Sequence, residues 1–135
     1  MIIFLDFDGV THPYRGGAVF SRVEYLWQIL RAIEANVVFT TSWRDDYPFD
    51  QLVDFATVGG GEDLAHRFIG ATPSIEYSDR GAEVQEWIDS AGYDGKWLIL
   101  DDAPELFSSP EGLYLINGKS GLTEQDVFNV LKVAE

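Results

Sequence analysis

The chain contains no cysteine, which excludes disulfide bridges, zinc–thiolate sites and a thiol nucleophile. It has only two histidines, His12 and His66, too few for a His-based metal cluster. Cations are scarce: nine Lys and Arg stand against 23 Asp and Glu, for a formal charge of −14. That field repels nucleic-acid phosphates and no Lys/Arg cluster offsets it, so non-specific nucleic-acid binding is not expected. Any phosphorylated ligand must find its cation locally, from a metal or an arginine. No apolar run is long enough to cross a membrane. The run at residues 1–7 is interrupted by Asp6 and Asp8, so it does not read as a signal h-region, and a cytoplasmic setting is the expectation. Neither a Gly-x-Gly-x-x-Gly nor a Walker pattern occurs, and Gly59–Gly61 reads as a loop. Internal repeats and low-complexity tracts are absent.

What is present suits one globular domain over residues 1–135. The hydrophobic share of 46%, with nine Phe, six Tyr and four Trp, supplies a single bulky core. Short apolar runs read as strands at 1–7, 37–40, 68–71, 96–100 and 113–116. Between them lie helical patterns: Val23, Leu26, Trp27, Leu30 and Ile33 after a capping box at Ser21 and Glu24; Pro48 to Ala56; a short turn near 62–67; and Val84, Trp87, Ile88 and Ala91 after a cap at Ser78 or Asp79. A last helix begins at Thr123 and presents Val127, Val130, Leu131 and Ala134. Strands alternating with helices predict a mainly parallel sheet covered on both faces, a three-layer Rossmann-like α/β fold. In such sheets ligands sit beyond the carboxyl ends of the strands.

Three chemically loaded segments fall at those ends. The first strand runs into Asp6-Phe7-Asp8-Gly9, where two carboxylates two residues apart can face one point. Close carboxylates repel unless a cation joins them, and hard oxygen donors suit Mg²⁺. The second strand ends in Thr40-Thr41-Ser42-Trp43-Arg44, whose hydroxyls and N–H groups suit phosphate oxygens or a helix cap; Arg44 is either a substrate contact or a surface charge, and Trp43 reads as packing. The strand at 96–100 ends in Asp101-Asp102, either a cap or a metal site. A parallel sheet brings all three to one edge. His12 follows the first motif within reach of a substrate, although a loop histidine usually has no special role.

Asp6-Phe7-Asp8-Gly9-Val10-Thr11 resembles the first motif of the haloacid-dehalogenase (HAD) phosphatases, Thr41 their second, and Asp101-Asp102 their acidic fourth. Arg80 stands where their third-motif cation opens a helix, with Lys96 and Lys119 as weaker candidates. The strings TTSWR (40–44), GATP (70–73), RGAEVQEWI (80–88), LILDD (98–102) and GLT (121–123) resemble the small HAD domains of Swiss-army-knife RNA-repair proteins. The resemblance implies an Mg²⁺-dependent phosphatase. In it Asp6 is the nucleophile and Asp8 the acid and base, with Thr41 and Arg80 completing the catalytic set. Gly9, Thr41, Ser42, Arg44 and Arg80 hold the phosphate, and Mg²⁺ is bound by Asp6, Asp8, and Asp101 or Asp102. Residues 9–20 are too few for a lid domain. The expected site is therefore essentially capless, open to a bulky phosphorylated molecule or nucleic-acid end, or covered by a partner protein. A dehalogenase has no need of Asp8. Two other classes compete: a receiver-like signalling module, whose motif order differs, and a phosphate-binding domain without catalysis.

Overall fold

The computed structural model describes residues 1–109 and 111–135. Five strands form one parallel sheet: β1 (Ile2–Leu5), β2 (Asn36–Phe39), β3 (Phe68–Ala71), β4 (Trp97–Asp101) and β5 (Leu113–Leu115), in the order β3-β2-β1-β4-β5. Helices α1 (Val23–Ala32), α2 (Phe49–Thr57) and α3 (Arg80–Ala91) connect successive strands from β1 to β4, and α4 (Glu124–Ala134) follows β5. Short 3₁₀ turns occupy Ser42–Asp45, Glu62–Arg67 and Pro104–Leu106. The expected α/β fold is the observed one.

Alternation along the strands divides the core. Ile3, Leu5, Val37, Phe39, Leu98 and Leu100 face the layer of α1, α2 and α4. Ile2, Phe4, Val38 and Ile99 face Val84 and Ile88 of α3. Both faces of the central strands are buried, which is why β1, β2 and β4 read as continuous apolar runs rather than alternating ones.

Most caps follow the sequence. Asp79 accepts the Ala82 N–H at 2.7 Å, Gly92 ends α3 in the left-handed region at φ 62°, and Thr123 and Asp126 form a reciprocal capping box on α4. The exception is α1. Its N-cap is Arg22, which makes no side-chain cap bond, so the expected Ser21–Glu24 box is absent. The loop entering α1 is instead tied to the first motif: Arg22 N–H donates to the Thr11 carbonyl and Phe20 N–H to the His12 ring. Those anchors leave Ser21 in a turn, its N–H on the Ala18 carbonyl. Among the described residues the loops at 6–22 and 72–79, beside the carboxyl edge of the sheet, carry no helix or strand.

Candidate active site

Strand parity decides which acids meet. Asp6 continues the side of β1 on which Ile2 and Phe4 stand, and Asp101 continues that of Ile99. Both acids therefore emerge on the face covered by α3, whose first residue is Arg80. The guanidinium reaches both: Nη1 lies 2.7 Å from Asp101 Oδ2 and 3.2 Å from Asp6 Oδ2. Asp6 Oδ1 accepts the Phe7 N–H at 2.8 Å, and Asp101 Oδ1 accepts the Ala103 N–H at 2.9 Å. Asp101 is fully buried and Asp6 nearly so.

Asp102, one residue on, turns the other way. Its carboxylate fits between two glycines: a Cβ on Gly9 would fall 2.1 Å from Asp102 Oδ2, and one on Gly118 would fall 2.3 Å from it. Gly9 also holds φ +80°, a conformation that a side chain disfavours. One oxygen each from Asp6, Asp101 and Asp102 lies within 4.8 Å of the others.

The electrostatics of this group are unbalanced. Three carboxylates face one guanidinium, an excess of two negative charges when all are ionised. Burial pushes the Asp6 carboxyl up to about 7, the neighbouring Asp101 adding to the rise and Asp102 contributing less; Arg80 and the Phe7 N–H pull it down. Burial, then Asp101, also raises Asp102. Burial alone would lower Arg80, but Asp6 and Asp101 overcome it and hold the guanidinium above its ordinary value. A donor set made only of oxygen, with two uncompensated charges, fits a hard divalent cation such as Mg²⁺. Asp102 is the acid of the pair that opens onto the cavity, whereas Asp101 is fully buried.

The remaining expected residues divide. Asp8 and Ser42 line the same cavity of about 450 Å³ as Asp6, Arg80 and Asp102. The Asp8 side chain is not among the clustered carboxylates. Thr41 is fully buried, and its hydroxyl accepts the Trp43 N–H at 3.3 Å, capping the following 3₁₀ turn. Gly9 gives clearance to Asp102.

Arg44 requires a correction. It is not a surface charge: its side chain is buried and braces the strand ends. Its Nε donates to the Thr72 carbonyl, Nη1 to the Thr40 and Thr41 carbonyls, and Nη2 to Glu83 Oε1 at 2.8 Å. Lys96 lies at the opposite end of the fold, on the carbonyls of Val133 and Glu135.

Two residues gain a place that the sequence did not give them. His12 is buried and bonds Asp8 Oδ1, and Trp43 donates its indole N–H to Asp8 Oδ2. Trp43 follows β2 and Asp8 follows β1, so their meeting depends on those strands being neighbours, which spacing along the chain does not reveal. Tyr14, Glu105 and Leu106 also line the cavity.

A parallel sheet with an Asp-x-Asp strand end, a helix-borne cation and a second acidic strand end defines a HAD-type hydrolase. Residues 2–127 match the family described as the HAD domain in Swiss Army Knife RNA repair proteins, and the chain belongs to that family. Membership implies a phosphatase-type hydrolase. No curated protein and no solved structure matches the chain significantly.

Proposed function

We propose that the protein hydrolyses phosphate monoesters through a phosphoryl intermediate on Asp6, with Mg²⁺ as cofactor. The observation that carries this reading is the Arg80 guanidinium shared by Asp6 and Asp101, beside Asp102, in one buried oxygen cluster. Asp6, Asp102 and the Asp8 carbonyl would hold the Mg²⁺, which when bound would shield an incoming phosphate from the carboxylates.

Asp6 Oδ attacks phosphorus, and the bond from phosphorus to the ester oxygen breaks. Protonated Asp8 gives its proton to that leaving oxygen. In the second step the Asp8 carboxylate takes a proton from water. The water oxygen attacks phosphorus, and Asp6 leaves as a carboxylate together with inorganic phosphate. Arg80 is the fixed cation beside the nucleophile and offsets charge on the transferring group. Ser42, on the cavity wall, is placed to donate to a phosphate oxygen.

The open carboxyl edge favours a phosphate carried on a bulky molecule, a nucleotide or a nucleic-acid end, or a lid supplied by a partner chain. Screening a panel of phosphate monoesters that includes nucleotides and oligonucleotide ends, with and without Mg²⁺, tests this. Release of phosphate that needs Mg²⁺ and vanishes in Asp6→Asn supports the reading. A wild-type protein inert to the whole panel, or an Asp6→Asn variant as active as wild type, contradicts it.

A further inference from the structure

We propose that His12 and Trp43 are positioning residues that fix the Asp8 carboxylate for proton transfer, with Phe20 setting the tautomer of His12; this rests on the role given to Asp8 above. Each Asp8 oxygen has its own N–H donor: His12 Nε2 lies 2.9 Å from Oδ1, and Trp43 Nε1 lies 3.1 Å from Oδ2. Two donors on two oxygens define the plane of a carboxylate that is otherwise half exposed and free to turn about its χ angles.

The donor role of His12 follows from its other nitrogen. The Phe20 backbone N–H, which can only donate, points at Nδ1 from 3.1 Å. Nδ1 therefore accepts, and the ring proton sits on Nε2, facing Asp8. Thr11 Oγ1 is 3.2 Å from the same Nδ1 and 3.1 Å from the Phe7 carbonyl, and its single hydroxyl proton can go to either acceptor.

Phe20 aims its N–H this way from a backbone at φ 59°, a conformation non-glycine residues seldom adopt. Its ring holds the other members of the arrangement, lying edge-on to His12 at 5.1 Å between centroids, to Trp43 at 5.4 Å and to Phe7 at 5.0 Å, and stacked on Phe55 at 5.6 Å. The cluster keeps the imidazole and the indole at one spacing. An acid that must give a proton to a leaving oxygen and then draw one from water gains from a fixed plane, since both transfers need the same oxygen in line.

The test compares two substrates that differ in their need for an acid. p-Nitrophenyl phosphate has a good leaving group that departs with little help, whereas an alkyl phosphate needs its oxygen protonated. Trp43→Phe removes the N–H and keeps an aromatic ring; His12→Gln keeps an N–H donor, and His12→Leu removes it.

The expected result is a fall in kcat/KM of about 10-fold or more on the alkyl phosphate for Trp43→Phe and His12→Leu, with a smaller loss of kcat/KM on p-nitrophenyl phosphate. His12→Gln should recover part of it, and in an Asp8→Asn background the Trp43→Phe change should have no further effect. Equal losses of kcat/KM on both substrates, or equal losses with and without Asp8, overturn the proposal.

If the wild-type protein shows no phosphatase activity, the reading of the site fails while the arrangement around Asp8 is still measurable. A ¹⁵N spectrum of the histidines should show His12 with its proton on Nε2, and Trp43 indole N–H exchange should quicken in Asp8→Ala. A proton on Nδ1, or an unaltered indole, overturns it on that route.

Discussion

The Asp102 carboxylate lies against the backbone of Gly9 so closely that a Cβ on the glycine would fall 2.1 Å from Oδ2. The first motif and the acidic strand end are thus fitted to each other. Gly9→Ala should displace Asp102 and strain a backbone at φ +80°, destabilising the fold by about 1–3 kcal/mol. Gly118→Ala adds a Cβ 2.3 Å from the same oxygen. Both variants should bind Mg²⁺ more weakly than wild type by calorimetric titration; unaltered affinity in both would mean that Asp102 is not a ligand.

Arg80 is the only cation paired with Asp6 among the described residues. Arg80→Met leaves Asp6 and Asp101 facing each other without it. Phosphatase turnover should fall about 100-fold or more, since a positioned cation at the transferring group is lost. Arg80→Lys keeps the charge but not the fork, and should fall between the two. Steady-state rates of the three proteins at saturating Mg²⁺ check the order.

Arg44 should behave in the opposite manner. Its side chain and that of Glu83 are 8% and 11% exposed, and the guanidinium ties β2, the segment after β3, and α3 together. Arg44→Met leaves Glu83 without its partner and should cost about 3–5 kcal/mol of stability by denaturant unfolding. Well below the melting temperature its KM for a phosphate ester should equal that of wild type. A raised KM with unchanged stability would return Arg44 to the substrate.

The raised Asp6 carboxyl links metal, proton and stability. Its folded-state value of about 7 exceeds its ordinary 3.8, so the folded protein holds this proton more tightly than the unfolded chain. The favourable balance is complete below 3.8, is lost as pH rises toward about 7, and changes no further above it. Mg²⁺ held by Asp6 would compete with that proton. The rise in Tm on adding Mg²⁺ should therefore be small near pH ~5 and larger near pH ~8, as read by thermal unfolding. A shift independent of pH would remove Asp6 from the metal site.

Much of this architecture is legible in the sequence. Apolar runs give the five strands, and the acids that end them give the edge where chemistry gathers. Parity along LILDD sends Asp101 toward α3 and Arg80 and Asp102 toward the glycines, but the sequence does not say which face α3 covers. Arg44 was not legible, because its acceptors come from Thr40, Thr41, Thr72 and Glu83, three of them backbone carbonyls exposed where strands end. The capping pattern at Ser21 misled for a related reason: Thr11 and His12 take the N–H groups of Arg22 and Phe20 and so decide where α1 begins. The His12–Asp8–Trp43 contact needs β1 and β2 side by side, a tertiary fact that local pattern does not carry.

The most direct measurement is the mass of the protein after acid quenching during turnover of a phosphate monoester with Mg²⁺. The account predicts a fraction of the chain heavier by one phosphoryl group, on the peptide that carries Asp6, and no such species in Asp6→Asn. Sustained turnover with the added group on another residue, or with Asp6→Asn as active as wild type, would contradict it.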